Sequence, residues 1–138
     1  NKRKVVDKGV LLGYFLSSYS ARRLNMQTTG NAGGSHNLII KDSGLSFDEL
    51  VKKMGRGLIV TELLGHGLNM VTGDYSRGAA GLWVENGEVQ FAVEEITIAS
   101  NIKDMLMNIE AVATDTYTNS SKYTGSILVK EMMVGSNN

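Results

Sequence analysis

The side chains here that could do chemistry are few, and their spacing does not gather them. His36 and His66 are the two histidines of the chain. Each stands in a glycine-flanked loop with no second ligand at helical spacing, whereas a catalytic metal needs several converging ligands. Cysteine is absent, which excludes disulfides and thiolate chemistry within the chain. Glu94 and Glu95 are adjacent on an expected strand, so alternation sends them to opposite faces, the wrong geometry for two carboxylates acting on one bond. Asp74, Ser76 and Arg77 imitate part of a hydrolytic site, yet with no histidine close in sequence they read as a capped turn with an Asp–Arg pair. No catalytic residue and no metal ligand is assigned. A self-sufficient metal-dependent hydrolase would require His36, His66 and a carboxylate to converge in space.

The stretch that must position these groups is Val71–Phe91, VTGDYSRGAAGLWVENGEVQF. Leu82 and Val84 alternate with polar residues before Asn86-Gly87, as Val89 and Phe91 do after it, and Asn-Gly between alternating runs signals a tight hairpin turn. In the first half, Gly73, Gly78 and Gly81 bracket Asp74-Tyr75-Ser76-Arg77 and leave two alanines beside Trp83. Small residues at that density either shape a bulged, twisted strand or let another backbone or a ligand come close.

Along the rest of the chain, Val10–Leu16 reads as a buried strand and Ser18–Leu24 as a short helix with a serine N-cap. Thr28–Asn37 is loop by its glycine and small polar content. Its backbone N–H groups could form a nest for an anion or a peptide carbonyl, but it lacks phosphate-loop spacing. Leu38–Ile40 is a short apolar strand. Ser46 and Glu49 spell a capping box that opens a helix through Leu50, Val51 and Met54, stopped by Gly55 or Gly57. Gly57–Leu64 reads as a buried strand, with a helical alternative at Glu62-Leu63-Leu64, and Gly65-His66-Gly67 turns the chain.

After the hairpin, Val93–Ile98 carries the sheet on. Ile102, Met105, Leu106 and Ile109 have the spacing of an amphipathic helix. Ala111–Ala113 fits a short strand and Thr114–Thr124 a polar loop. Ser126–Val134 closes the chain as a strand, with Ile127, Val129 and Met132 inward. The expected fold class is α+β, a predominantly antiparallel β-sheet domain with a few short helices.

Composition narrows the function. At 138 residues, 42% hydrophobic and 20% charged, the chain has the length and make-up of one soluble domain. Its formal net charge is zero, so it lacks the basic field that duplex binding needs. The basic run Lys2-Arg3-Lys4 reads as a solvated tail. No apolar run approaches the ~20 residues of a membrane span. The seven methionines suit an adaptable core or interface.

Two runs carry a family resemblance that covers nearly the whole chain in order. GYFLSSYSARRLNMQTTGNAGG and VTELLGHGLNMVTGDYSRGAAGLWVENGEVQFAVEEITIASNIKDM closely resemble the C-terminal region of the TldD/PmbA family, specifically its PmbA (TldE) branch, historically called modulators of DNA gyrase. The resemblance implies that residues 1–138 are the C-terminal domain, about a third, of a PmbA/TldE-like protein. It further implies a cytoplasmic metallopeptidase complex that degrades or trims unfolded peptides.

In the TldD branch a His-Glu-x-x-x-His helix and a C-terminal cysteine build a zinc site. The resemblance places that helix upstream of this stretch, but the cysteine is missing here, the corresponding part being Thr114–Thr124, so the resemblance implies a non-catalytic subunit that forms cavity and interface. Zinc is then expected in a TldD-like partner and no cofactor in this chain. The implied partners are a TldD-like subunit or further copies in a homo-oligomer, and unfolded peptides, without direct contact to nucleic acid or membrane. Modulation of DNA gyrase by protein contact is the alternative. The substrate-binding candidates are Thr29, Gly30, Gly33, Gly34, Gly73, Asp74, Tyr75, Ser76, Arg77 and Gly78, in the two glycine-dense segments. Strand edges there could hold an extended peptide by main-chain hydrogen bonds.

Overall fold

Asn86 and Gly87 both take positive φ, 53° and 74°, the requirement of a type I′ turn. The strands they join dominate the computed structural model, which describes residues 2–136. In chain order the elements are β1 (Val6–Asp7), β2 (Val10–Leu11), α1 (Ser18–Arg23), β3 (Leu38–Ile39), α2 (Phe47–Met54), β4 (Gly57–Leu64) and β5 (Asp74–Glu85). They continue as β6 (Glu88–Asn101), α3 (Ile102–Met107), β7 (Ile109–Val112), β8 (Lys122–Tyr123), β9 (Ile127–Val129) and β10 (Met133–Ser136). An antiparallel sheet ordered β10-β6-β5-β4 is joined by three two-stranded pairs, β1-β2 and β7-β9 antiparallel and β3-β8 parallel. The architecture is α+β, mostly antiparallel.

The alanine-glycine run sits where both neighbouring strands slip register. Val60 pairs with Gly81 but Glu62 with Ala80, which leaves Thr61 as an extra residue in β4. On the other side Gly81 pairs with Val93 and Ala79 with Ile96, so Glu94 and Glu95 together oppose Ala80. Glu95 takes φ 53° there. The strict alternation expected to separate Glu94 from Glu95 is thus interrupted by a bulge. Gly81 is required for the approach, because a Cβ at this position would run into the Ile59 carbonyl. The expected bulged strand is therefore corrected: the bulges lie in β4 and β6, on either side of the alanine-glycine run, and not in β5 itself.

Helix α2 forms as its capping box dictates. Ser46 Oγ accepts from Glu49 N at 3.2 Å, and Glu49 Oε2 accepts from Ser46 N at 2.8 Å. Gly55, at φ 68°, ends the helix, and its carbonyl accepts from Gly87 N at 2.7 Å. The helix end is thereby fastened to the hairpin turn. One side of α2 packs on β7 and β9, burying Leu50, Ala111, Ala113 and Leu128 with Leu45 and Met54 beside them. A second core, Ala79, Ile96 and Ile98, lies on one face of the large sheet with Leu58, Tyr75, Val93 and Met132.

Several expectations are corrected. Of the expected buried strand only Val10–Leu11 is strand, and Val10, Leu11 and Leu12 are exposed, because within the described residues only β1 lies alongside, whereas Leu16 at its end is buried. Ser17, not Ser18, caps α1. β4 is a strand throughout, without the helical alternative, but it is the sheet's edge, and Val60, Leu63 and Leu64 are exposed rather than buried. The closing strand is two, β9 against β7 and β10 against β6, and Leu128 rather than Ile127 faces inward, toward Leu50. The expected helix stops at Met107, so Ile109 belongs to β7, and of its periodic residues Leu106 is 63% exposed whereas Ile102 and Met105 are half-buried. Thr114–Thr124 is not wholly loop, because β8 lies within it. The N-terminal basic run is partly held down, Arg3 donating to the Tyr14 carbonyl at 2.6 Å and lying over the Phe15 ring.

Candidate functional site

The loop Thr28–Gly34 winds around the backbone of one residue of its own chain, Leu16. The Leu16 carbonyl accepts from Thr29 N at 3.1 Å and Asn31 N at 3.2 Å, with the Thr28 hydroxyl at 3.1 Å. Leu16 N donates to Thr29 Oγ1 at 2.7 Å, and Asn31 Nδ2 donates to the Gly34 carbonyl at 3.1 Å. The backbone donors do converge as in a nest, but what they hold is Leu16, itself buried. Gly30 and Gly34 take positive φ, and a Cβ at Gly30, Gly33 or Gly34 would meet nothing within 4 Å. The loop thus shows solvent its glycine backbone and keeps its threonines for itself.

The second predicted segment, Gly73–Gly78, splits across the two faces of β5. Asp74, Ser76 and Gly78 share one face, and Tyr75 and Arg77 the other. This corrects the expected Asp–Arg pair, since strand alternation carries the two side chains apart. The Asp74 carboxylate instead takes the Thr72 hydroxyl at 2.6 Å and Asn101 Nδ2 at 3.3 Å. Gly73, at φ 80°, sits against Asn101, which also donates to the Thr72 carbonyl at 3.0 Å. The turn Asn69–Asp74 is thereby pinned to the start of α3.

The turn also brings His66 to Asp74 and Ser76, lining a shallow concavity of about 490 Å3 with Gly67, Leu68 and Asn69. Sequence spacing concealed this neighbourhood, because it is made by Leu68 pairing back with Tyr75 and by Ser76 N donating to the Gly67 carbonyl at 2.8 Å. It is not a catalytic relay. No hydrogen bond joins His66 to either residue among the described residues, and the carboxylate is already occupied. Nor do the described residues bring three of His, Cys, Asp and Glu together as metal ligands. No hydrolytic step is therefore derived for this chain.

From Gly78 to Gly81, β5 is paired on both sides, so that stretch offers no free edge for an extended peptide. Among the described residues the free edges of the sheet are β4 and β10. Beside β4 runs a groove of about 750 Å3, between α2 (Phe47, Val51), the sheet (Leu58, Val60, Trp83) and β9. Its floor is apolar. At its rim Arg56 lies 5.6 Å over the Trp83 ring and 3.7 Å from Glu85, to which Trp83 Nε1 donates at 3.3 Å. The run GLIVTELL looked like core strand, and only its polar Thr61 and Glu62 hinted at an edge.

Two carboxyls have lowered pKa values, and both hold backbone. Glu49 is lowered by the Ser46 N–H and hydroxyl. For Asp115, burial would raise the pKa, but the Ser126 hydroxyl and N–H, at 2.7 and 2.8 Å, together outweigh it. Asp115 thus ties the Thr114–Thr124 loop to the start of β9. No helix among the described residues is long and apolar enough to cross a membrane.

The family model described as the PmbA/TldA metallopeptidase C-terminal domain matches residues 1–136. The chain is 53% identical over 133 residues to Metalloprotease PmbA of Escherichia coli O157:H7, covering 96% of this chain and 30% of the relative. It is 50% identical over 138 residues to the PmbA homolog of Haemophilus influenzae, covering 98% of this chain and 30% of the relative. Among solved structures, a candidate modulator of a DNA gyrase from Thermotoga maritima superposes with a TM-score of 0.86 at 37% identity, over 95% of this chain and 32% of that one. One from Bacteroides thetaiotaomicron gives a TM-score of 0.90 at 29% identity, over 97% and 30%. The chain thus spans about 30% of the length of the relatives it matches.

Proposed function

The chain belongs to the PmbA/TldA (TldD/PmbA) metallopeptidase family as its C-terminal domain, and on that premise we propose that it is the peptide-docking, non-catalytic part of a cytoplasmic peptidase complex. In this reading a TldD-like partner carries the zinc and cleaves the peptide bond, while this domain holds the unfolded chain and walls the cavity.

The observation that carries the reading is edge strand β4 beside its apolar groove. Unpaired main-chain donors and acceptors along an edge hold any extended peptide regardless of sequence, which suits unfolded substrates. Apolar side chains of the peptide would lie against Leu58, Val60 and Trp83. The glycine loop at Thr28–Gly34 keeps a supporting place, because its open backbone lets a passing chain come close. The Gly73–Gly78 segment contributes through Arg77, whose side chain reaches β4, and not by main-chain pairing at its glycines.

Val60 and Leu63 are 38% and 40% exposed, so lysine at both positions is compatible with the fold. In the full-length polypeptide, mixed with its TldD-like partner, Val60→Lys with Leu63→Lys is expected to lower kcat/KM on an unfolded peptide by about tenfold or more. Unchanged kcat/KM, with melting temperature also unchanged, would overturn β4 as the docking edge.

A further inference from the structure

Arg77 lies on the apolar face of β5. It pairs in register with Ile98, and Ala79, two residues on, with Ile96, so the guanidinium stem runs beside the buried cluster of Ala79, Ile96 and Ile98. The glycine turn before β5 closes over it, because a Cβ on Gly67 would meet Arg77 Cγ at 2.5 Å.

This charge is uncompensated. The ion pairs among the described residues are Lys4–Asp7 and Arg56–Glu85, and neither involves Arg77. Asp74, its nearest acidic neighbour in sequence, is on the opposite face and engaged with Thr72 and Asn101. One terminal nitrogen of Arg77 reaches the Leu63 carbonyl of β4 at a long 3.4 Å. Its Nε is shut off from solvent and has no partner among the described residues. A guanidinium is permanently charged and donates through a planar fork that matches a carboxylate. A docked carboxylate does not reach the enclosed Nε, but it can meet the terminal nitrogens of the same guanidinium, whose charge and planar geometry it matches.

We propose that Arg77 is a carboxylate-recognition site at the Leu63–Leu64 end of the β4 edge, taking the carboxylate of a docked peptide. This rests on β4 being the docking edge and adds what the edge alone cannot give, a fixed point that sets where along the strand a peptide stops. A terminal carboxylate held there would make the peptide run parallel to β4, its chain extending back toward Gly57. A side-chain carboxylate of the peptide would satisfy the same fork without fixing direction.

The test uses the full-length polypeptide and three fluorescent hexapeptides of one apolar sequence: one with a free terminal carboxylate, one amidated, and one amidated with an internal glutamate. The free-carboxylate peptide is expected to bind about tenfold more tightly than the amidated one, as a charge-assisted fork contact should. Arg77→Gln should erase that preference, so that the free-carboxylate and amidated peptides bind alike. Preference for the internal glutamate over both others supports the same site with a side-chain source. Equal affinity for all three, or a preference that survives Arg77→Gln, overturns the proposal. Binding of none of them overturns the docking edge and the proposal with it, whereas equal binding of all leaves the edge standing. As a folding control, the melting temperature of Arg77→Gln is expected to stay close to that of the parent protein, since the variant keeps the Cβ and Cγ that pack beside Ala79, Ile96 and Ile98.

Discussion

Asp115 shows how a single carboxylate decides whether a polar loop has a shape. Its two oxygens take the Ser126 hydroxyl and N–H, and those bonds hold its pKa below the ordinary value of 3.8 against the opposing effect of burial. A carboxyl whose folded pKa is depressed stabilises the fold above its unfolded pKa, and that contribution is lost as pH falls through the lower folded value. Asp115→Asn is therefore expected to lower the melting temperature of the full-length polypeptide near neutral pH, by a small amount because the group is mostly exposed and screened. The difference from the parent protein should shrink once the pH drops below 3.8. A difference independent of pH would show that the loop is held by something else. The same scale of reading separates Asp74 from Arg77. The sequence offers them as a pair, but three positions along a strand place them on opposite faces, one engaged with Thr72 and Asn101 and the other unmet.

At the scale of elements, the hairpin and its glycines make a sharp contrast. A Cβ at Gly81 would run into the Ile59 carbonyl, whereas one at Gly33 meets nothing, and Gly33 has no positive φ to forbid it. Gly81→Ala must displace β4 and is expected to cost about 1–3 kcal/mol. Gly33→Ala should stay within about 0.5 kcal/mol of the parent. Chemical denaturation of the two variants checks both, and equal stabilities would contradict the bulged-sheet geometry. What was legible in the sequence follows the same division. Asn86-Gly87 and the Ser46–Glu49 box announce themselves because turn and cap chemistry is local. The edge position of β4, the exposure of Val10–Leu12 and the inward Leu128 depend on which distant strand lies alongside, and apolar content alone does not report that. The neighbourhood of His66 with Asp74 and Ser76 was hidden for the same reason, since a tertiary turn makes it.

At the scale of the whole molecule, the apolar side chains left in solvent are informative together. Met70, Val71, Phe91, Leu106 and Met133 are all more than half exposed, and the chain spans only about 30% of its relatives' length. Open apolar surface of this kind is a mark of contact surfaces, in keeping with the proposed place of this domain in a larger polypeptide. The formal net charge is zero, so this domain lacks the basic field that duplex binding needs. The central claim is a division of labour, docking here and hydrolysis in the partner. It is tested most directly by measuring cleavage of an unfolded peptide by the full-length polypeptide alone and mixed with its TldD-like partner, with zinc quantified in each subunit. The account predicts cleavage only in the mixture, with zinc in the partner; cleavage and bound zinc in this polypeptide alone would contradict it.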